Sequence, residues 1–295
     1  MPELLRVSEE VASALAEKRA VVALETTLVA HGFPAPEGVA VGLESERRVR
    51  EAAAVPATIG VLDGAICVGL SEQELARFTP EARKLGPRDL ATCAVQGAVG
   101  ATTVGGTLAV ARSLGIGFLG TGGLGGVHRD FPAPPDVSAD LGELTRTPAL
   151  VVCSGVKSLL DVPATVEVLE TLGIPVLGWR TDTLPLFYSA DGGPPVSARV
   201  ETAEEAASIA AAHWQLGGAA LLLGNPPPET LDVEPLIDEA VTEARARGIE
   251  GQAVTPFVLA FLHERSDGNT LRVNRDLIAA NAELAGEVAV AHSAL

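Results

Sequence analysis

The stretch "ALVVCSGVKSLLDVPATVEVLETLGIPVLGW", from Ala149 to Trp179, decides the fold class. It opens with an apolar, β-branched run that predicts a short buried strand. Helical spacing then predicts a helix from Val162 to Leu172, and a second short apolar run from Val176 predicts another strand. Short apolar strands separated by amphipathic helices are typical of a layered α/β fold.

The same alternation extends through the rest of the chain. Further strands are predicted at "AVVALE", "ATIGVLD", "IGFLG" and "AALLLG". Helices are predicted at Ser8–Lys18, Val39–Ala54, Asp89–Leu114, Ala203–Leu216, Val233–Arg247 and Leu271–Val288. We therefore expect an α/β protein with three α/β/α layers, a mainly parallel central sheet and a single domain over residues 1–295. In such sheets ligands bind beyond the carboxyl ends of the strands.

The charge and cysteine content excludes several classes of protein. Lys and Arg total 21 against 38 Asp and Glu, and the resulting net charge of -17 repels nucleic acid and anionic membranes. The three cysteines, Cys67, Cys93 and Cys153, lie among apolar neighbours without CxxC spacing, which indicates buried thiols rather than disulfides or zinc ligands. No apolar stretch reaches the ~18 residues of a membrane span. These features predict a soluble, cytoplasmic protein.

Lys157 is the first candidate for chemistry, because it follows a predicted buried strand and precedes a predicted helix. The positive end of a helix and partial desolvation would both favour its neutral amine, which is the nucleophile that Schiff-base enzymes require. The alternative is an exposed lysine at a strand end, since most lysines are solvated.

Glu25 is the second candidate, because it closes the apolar run "VVALE". A carboxylate at such a position is costly to bury unless it is paired, protonated or catalytic, so Glu25 could act as a general acid or base. A solvated strand end is an equally open interpretation. His31, just beyond, could line the same cavity or only order its loop.

Two features could bind a phosphate group. Lys84 lies close to Arg83 and Arg88, and a phosphate-bearing substrate would need such a cluster in so acidic a chain, although a charged connector is an alternative. The glycine-rich loop from Gly120 to Leu141 is the expected site loop. Its backbone amides, with those of residues 100–106, could cradle a phosphate or merely form a turn.

The sequence signals for a dinucleotide site and for a metal site are less specific than those for Lys157 and Glu25. "GTGGLGG" has neither the following helix nor the acidic residue of a dinucleotide fingerprint, so NAD is rejected. In "DVSADL" the carboxylates of Asp136 and Asp140 lie four residues apart, which suits a hard cation such as Mg²⁺ or Mn²⁺. Asp140 could equally be a helix N-cap.

Ordered motifs over nearly the whole chain resemble the pseudouridine-5′-phosphate glycosidases, also called the indigoidine synthase A-like family. The motifs are "VALETTLVAHGFPAPEG", "VPATIGVLDGAICVGL", "RDLATCAVQGAVGATTVGGTL", "GTGGLGGVHRD", "VSADLGEL", "VVCSGVKSLLD", "VTPFVLAFLHE" and "NRDLIAANAEL". The resemblance implies reversible conversion of pseudouridine 5′-phosphate and water into uracil and ribose 5-phosphate, with a divalent metal, commonly Mn²⁺, and a homotrimeric assembly.

The resemblance also implies roles for individual residues. Lys157 matches the family's imine-forming nucleophile, Glu25 its proton donor and Asp136 its metal ligand. The matches to substrate-binding or further active-site positions are Lys84, Val104, His128, Ser138, Ala139, Asp140 and Asn281.

Departures from the family pattern affect the expected substrate preference. This chain reads "TDTLPLF" from Thr181 to Phe187 where the family commonly has "TDEFPAF", "NPPP" in place of "NPIP", and glycine at positions 105 and 106 where alanine is frequent. The alternatives are a family member that acts on another C-nucleotide or a pigment precursor, and a sugar-phosphate binding protein without turnover.

Overall fold

The computed structural model describes residues 4–129, 136–157, 159–249 and 254–295, so the predicted site loop falls partly outside the described residues. The strands are β1 (Leu5–Val7), β2 (Val21–Glu25), β3 (Val55–Leu62), β4 (Ala65–Val68), β5 (Arg83–Leu85), β6 (Gly100–Thr102), β7 (Phe118–Gly120), β8 (Val127–His128), β9 (Leu150–Cys153), β10 (Leu160–Asp161), β11 (Val176–Trp179), β12 (Ala198–Val200) and β13 (Leu221–Gly224).

Helices connect most of these strands. They are α1 (Glu9–Ala16), α2 (Glu37–Glu51), α3 (Glu72–Leu75), α4 (Leu90–Val95), α5 (Val104–Leu114), α6 (Ala139–Leu144), α7 (Val162–Thr171), α8 (Ala203–Gln215), α9 (Glu234–Ala246), α10 (Val254–Arg265) and α11 (Asn269–Ser293), with a π-helical turn at Leu28–Gly32. None of the described helices is both long enough and apolar enough to span a membrane.

Within the part of the chain that the structure describes, the central sheet has eleven strands and is mainly parallel, which confirms the predicted fold class. Its main path runs β1-β4-β3-β2-β7-β9-β13-β11-β12, with β6 pairing to β3 and β5. Among the strand pairs described in this sheet, β3–β4 and β3–β6 are antiparallel and the others are parallel. Strands β8 and β10 form a separate antiparallel pair.

Both faces of the sheet are buried, as three layers require. In β2, Val21 and Ala23 belong to one apolar core cluster, whereas Val22 and Leu24 belong to another. Since successive side chains of a strand point to opposite faces, these clusters lie on opposite sides of the sheet. Helix α11 packs on the side of Val22, where Ala285 and its neighbours contribute to the core.

The prediction of one helical region over Asp89–Leu114 is wrong. Gly97 has a φ of 65° and follows the end of α4, and strand β6 separates α4 from α5. Gly100 in β6 packs so closely that an added Cβ would lie 2.3 Å from a side-chain carbon of Leu85. Helical periodicity did not reveal this break, because alanine-rich segments on either side continue the helical pattern. Helix α10 was not predicted.

The order of strands reverses between β2 and β7. From β2 the chain continues to the neighbouring strand β3, whereas from β7 it continues to β9 on the other side. Strands β2 and β7 are themselves parallel neighbours. Such a switch point leaves a crevice at the carboxyl ends of the strands, where open α/β sheets bind ligands.

Candidate active site

Glu25 and Thr121 face each other across this crevice. Glu25 is the last residue of β2 and is 5 % exposed, and Thr121 directly follows β7. The Thr121 hydroxyl donates a 2.5 Å hydrogen bond to Glu25 Oε1. Burial raises the pKa of Glu25, and the positive charge of Lys157 and this hydrogen bond only partly oppose the rise. A protonated carboxyl group can therefore exist here and act as an acid.

Lys157 enters the same crevice from the loop after β9. Its backbone N–H donates to the carbonyl of Leu124 at 3.1 Å, and its carbonyl accepts from the N–H of Leu160 at 2.9 Å. The loop leads into β10 before α7 begins at Val162, so the helix does not follow Lys157 as directly as the sequence suggested. The loop is nonetheless tied to the glycine-rich segment that follows β7.

Two cavities meet at the lysines. The apolar chamber has an empty volume of about 480 Å³ and is lined by Glu25, Leu28, Phe33, Phe187, Leu259 and Ile278 among others. The polar chamber has an empty volume of about 1110 Å³ and is lined by Arg88, Thr103, His128, Asp136, Ser138 and Asp140 among others. Lys84 and Lys157 line both chambers, so a ligand that filled both would pass these amines.

Lys84 is positioned by β5, which pairs with β6 beside the central strands. Burial and the nearby charge of Lys157 together lower the pKa of Lys84 to about 8, although Asp140 and Glu25 act in the opposite direction. Near neutral pH the Lys84 amine is therefore mostly protonated, but its ammonium form is less stable than that of a solvated lysine. An anionic group in the polar chamber would stabilise it further.

Asp140 joins two parts of the polar chamber through backbone hydrogen bonds. Its Oδ1 accepts from the N–H of Gly105 at 2.7 Å, and its Oδ2 accepts from the N–H of Gly125 at 3.0 Å. An added Cβ at Gly125 would lie 2.6 Å from Oδ2, so glycine is needed for this approach. Asp140 thereby fixes the start of α5 against the glycine-rich loop.

The neighbouring predicted residues present mainly backbone groups. Val104 is the first residue of α5, and its side chain is buried, so it could meet a ligand only through its backbone. Ser138 is the N-cap of α6 and accepts from the N–H of Asp140 at 3.2 Å. Ala139 follows it on the wall of the polar chamber. Thr103, which sequence reasoning missed, caps α5 and lines the same chamber.

His128 and Asp136 form the far wall of the polar chamber. His128 Nδ1 lies 3.6 Å from Asp136 Oδ2, and the His128 N–H donates to the Asp136 carbonyl at 3.0 Å. Within the described ranges, no group of three or more His, Cys, Asp or Glu side chains is arranged to hold a metal ion. A cation at Asp136 would therefore take few protein ligands and keep several waters, as Mg²⁺ and similar ions do.

Asn281 lies beneath the crevice. Among the residues that the structure describes, it belongs to the lining of neither chamber. It is fully buried, and its Nδ2 donates to the Thr121 carbonyl at 2.7 Å and to Ser154 Oγ at 3.1 Å. Its Oδ1 accepts from Asn225 Nδ2 at 3.0 Å. Asn281 thus joins residues that follow three adjacent strands, β7, β9 and β13.

Asn274, seven residues earlier on the same helix, is the asparagine that lines the apolar chamber. A spacing of seven residues places both on one face of α11, so a helical pattern alone did not separate them. Thr121 and Phe187 were also missed. Thr121 had a usable signal, since it is the polar residue that directly follows a predicted strand.

Comparisons with known proteins identify the family of this chain. A family model described as indigoidine synthase A like protein matches residues 10–291. A protein of Streptomyces griseus subsp. griseus named pseudouridine-5′-phosphate glycosidase is 47% identical over 294 residues, which cover 97% of this chain and 91% of that protein. A protein of the same name from Brachyspira hyodysenteriae is 43% identical over 303 residues, which cover 100% of this chain and 98% of that protein.

Two solved structures are also similar. The prealnumycin C-glycosynthase AlnA, crystallised in complex with ribulose 5-phosphate, has a TM-score of 0.89 and 41% identity over 100% of this chain and 98% of its own. An indigoidine synthase A (IdgA)-like protein of Thermotoga maritima has a TM-score of 0.88 and 37% identity, over 98% of this chain and 97% of its own. On the full-length match of its sequence and fold, this chain belongs to the indigoidine synthase A-like family.

Proposed function

We propose that this protein reversibly cleaves the carbon–carbon glycosidic bond of pseudouridine 5′-phosphate to give uracil and ribose 5-phosphate. The observation that carries the proposal is the presence of Glu25 and Lys157 on the wall of one chamber at the switch point of the sheet. The name shared by its curated relatives at 43–47% identity supports the choice of substrate.

The bond to be broken explains the need for a lysine. Ordinary glycosidases use two carboxyl groups to expel an oxygen or nitrogen leaving group. Here the leaving group is a carbon atom of uracil, which cannot depart unassisted as a stable anion. A covalent nitrogen on the sugar supplies the electrons for this step, because an amine bonded to C1′ can form an imine as the carbon bond breaks.

In the proposed reaction the C1′–O4′ bond of the ribose breaks as the Lys157 amine bonds to C1′, and O4′ takes up the proton that the amine nitrogen loses. Glu25 then delivers a proton to C5 of uracil while the C1′–C5 bond breaks, leaving the imine between Lys157 and the sugar. Water hydrolyses the imine and releases ribose 5-phosphate and the free amine. The hydrogen bond from Thr121 to Glu25 Oε1 leaves Oε2 available to carry that proton.

The polar chamber would hold the sugar phosphate. Lys84 offers a half-buried ammonium group, and Arg88 lines the same wall. The start of α5, capped by Thr103, adds the positive end of a helix of eleven residues. The His128 ring and the backbone of residues 138–140 line the opposite wall and would orient the sugar.

A divalent cation, Mn²⁺ by family resemblance, would be held by Asp136. The half-exposed carboxylate of Asp136 on the wall of the polar chamber fits an ion that keeps most of its waters. Such an ion would supply positive charge and order water in the polar chamber.

The homotrimeric assembly and the cytoplasmic location belong to the same proposal. A trimer of the 30.2 kDa chain would be recognised by sedimentation at three times the subunit mass. The similarity to a prealnumycin C-glycosynthase keeps one alternative open, a family member that joins a sugar phosphate to a different carbon acceptor.

The experiment that tests the function is synthesis. Purified protein with Mn²⁺, uracil and ribose 5-phosphate is expected to form pseudouridine 5′-phosphate, which is detected by mass spectrometry. The alternative would be favoured if the folded protein gave no product with uracil but coupled ribose 5-phosphate to another carbon acceptor from a panel of C-nucleoside bases.

A further inference from the structure

Helix α11 lies directly against the carboxyl end of β7. A Cβ added at Gly120, the last residue of β7, would lie 3.0 Å from Ala282 Cα and 3.3 Å from the Asn281 carbonyl oxygen, so a larger residue would push the helix away. This close approach brings the fully buried Asn281 side chain beneath the residues that follow the strands. Asn281 therefore reaches the supports of the site, although it is absent from the described lining of both chambers.

The Asn281 amide can adopt only one orientation here. Its Nδ2 donates to the Thr121 carbonyl at 2.7 Å and to Ser154 Oγ at 3.1 Å. Its Oδ1 accepts from Asn225 Nδ2 at 3.0 Å. The Thr121 carbonyl oxygen only accepts, so rotating the Asn281 amide by half a turn would set oxygen against oxygen. Both hydrogens of this amide are thus used to join the carboxyl ends of β7 and β9.

One of these hydrogen bonds fixes the support of the acid. The Thr121 N–H donates to the Val152 carbonyl at 3.0 Å, and the Thr121 carbonyl accepts from Asn281. The Thr121 hydroxyl donates to Glu25 Oε1. A threonine whose backbone is held on both sides presents its hydroxyl in a defined direction, because χ1 of a β-branched residue has few allowed values. Asn281 therefore acts on the orientation of the Glu25 carboxyl group through Thr121.

The other hydrogen bond fixes the loop of the lysine. Ser154 directly follows β9, and its N–H donates to the Gly122 carbonyl at 2.9 Å. Three residues later the Lys157 N–H donates to the Leu124 carbonyl at 3.1 Å, so the lysine loop and the glycine-rich segment run side by side. Asn281 lies where these two segments leave the sheet. It therefore holds the spacing from which Lys157 extends.

We propose that Asn281 is a positioning residue that sets the placement of the Glu25 carboxyl group relative to the Lys157 amine. The proposal rests on the proposed function, in which the two groups act on bonded atoms, C5 of uracil and C1′ of the sugar. Groups misplaced by about 1 Å can lose about 10²-fold in rate. A side chain that does not touch the substrate can thus control the rate of cleavage while substrate binding stays unchanged. This role differs from the substrate contact that the family resemblance implies for Asn281.

The test compares Asn281→Leu, which keeps the approximate size of the side chain but removes both donors, with Thr147→Val. Thr147 is also fully buried, and its hydroxyl donates to Glu143 Oε1 at 2.9 Å, but it precedes the amino end of β9, away from the crevice. In cleavage of pseudouridine 5′-phosphate we expect Asn281→Leu to lower kcat by about 10²-fold, with KM within about twofold of wild type. Thr147→Val should keep both constants within about twofold of wild type.

Borohydride reduction with ribose 5-phosphate separates positioning from a loss of folded protein. The yield of adduct on Lys157 counts the sites that hold a reactive lysine, and kcat is expressed per such site. A merely structural role would lower the number of sites and leave kcat per site unchanged. Ser154→Ala, which removes one acceptor of Asn281, should lower kcat per site by about threefold or more and should have no further effect in Asn281→Leu.

The possible outcomes are distinguishable. If the wild-type protein forms no adduct with ribose 5-phosphate, the proposed function itself fails. If the wild type forms the adduct but folded Asn281→Leu keeps the wild-type kcat per site, the positioning proposal alone is overturned. A raised KM at unchanged kcat would place Asn281 in contact with the substrate and overturn it likewise. Should Asn281→Leu not fold, the proposal is overturned if Ser154→Ala has the same kcat per site as Thr147→Val.

Discussion

The Thr121 hydroxyl donates a 2.5 Å hydrogen bond to Glu25 Oε1, joining the carboxyl ends of β2 and β7 at the point where the strand order reverses. This contact fixes the orientation of a carboxyl group whose pKa is raised by burial. One oxygen is occupied as an acceptor, and the other remains to carry a proton. The topology of the sheet thus sets the direction in which the acid acts.

Replacing Glu25 with glutamine should separate bond formation from bond cleavage. Glu25→Gln keeps the size of the side chain but removes the transferable proton, so we expect the ribose 5-phosphate adduct to form while turnover falls by about 10²–10⁴-fold, the usual value of a general acid. Adduct yield and steady-state rate are measured on the same preparation.

The matched control is Glu46→Gln. Glu46 is also a largely buried glutamate with a raised pKa and a hydrogen bond from a threonine, Thr58, but it lies on α2 outside both chambers. Its substitution should leave turnover near the wild-type value. Equal loss of adduct and turnover in Glu25→Gln would contradict the role of Glu25 as proton donor only.

Substrate affinity should fall as pH rises through about 8, where Lys84 loses its proton. The KM for ribose 5-phosphate is expected to increase between pH 7 and pH 9, and the increase should vanish in Lys84→Met, which already lacks the charge. A pH profile of KM for both proteins makes this comparison. If the KM of Lys84→Met rises with pH as much as that of the wild type, the rise is due to another group.

Stability should show the opposite trend with pH. The folded-state pKa of Lys84 is depressed to about 8 from its ordinary value of 10.5, so its charge opposes folding below pH 8. Between the two values the unfolded chain binds the proton and the folded chain does not, and the free energy of unfolding should therefore rise with pH. Denaturant unfolding of wild type and Lys84→Met at pH 7.5 and pH 10 would reveal this difference.

Asn281→Ala should destabilise the protein through loss of a buried hydrogen-bond network. The substitution leaves the Thr121 carbonyl, Ser154 Oγ and Asn225 Nδ2 without their asparagine partner, and we expect a loss of about 3 kcal/mol in the free energy of unfolding. Denaturant titration measures it. A variant that is as stable as wild type but binds uracil weakly would instead place Asn281 in contact with the substrate.

Removal of divalent cations should lower activity in a manner that depends on Asp136. Chelation is expected to suppress turnover and added Mn²⁺ to restore it, and Asp136→Asn should weaken Mn²⁺ binding by at least about tenfold in a titration followed by electron paramagnetic resonance. Asp89→Asn, which changes another carboxylate on the wall of the polar chamber, is the control. Equal Mn²⁺ affinity in both variants would exclude Asp136 as the ligand.

The sequence was most informative where the chain is regular. The short apolar runs at β2, β7, β9, β11 and β13 alternate with helical segments, as buried parallel strands do, so the fold class and the positions of Glu25 at a strand end and Lys157 just beyond one followed from them. The short strands β5 (RKL) and β6 (GAT) were not predicted, because neither forms an apolar run.

The details of the chambers depend on contacts between distant segments. Sequence spacing cannot distinguish Asn274, on the wall of the apolar chamber, from Asn281, beneath it, because both lie on one face of α11. The structural role of Asp140 likewise depends on its two backbone donors, Gly105 and Gly125, which lie 35 and 15 residues away along the chain. Such pairings are set by the tertiary fold.

The central claim is that the Lys157 amine forms a covalent bond with the sugar, and borohydride reduction in the presence of ribose 5-phosphate tests it most directly. Peptide mass spectrometry should find the reduced adduct on Lys157, and it should be absent from Lys157→Met but present in Lys84→Met at saturating sugar phosphate. An adduct on Lys84 in the wild type, or equal labelling of the Lys157→Met protein, would contradict the account.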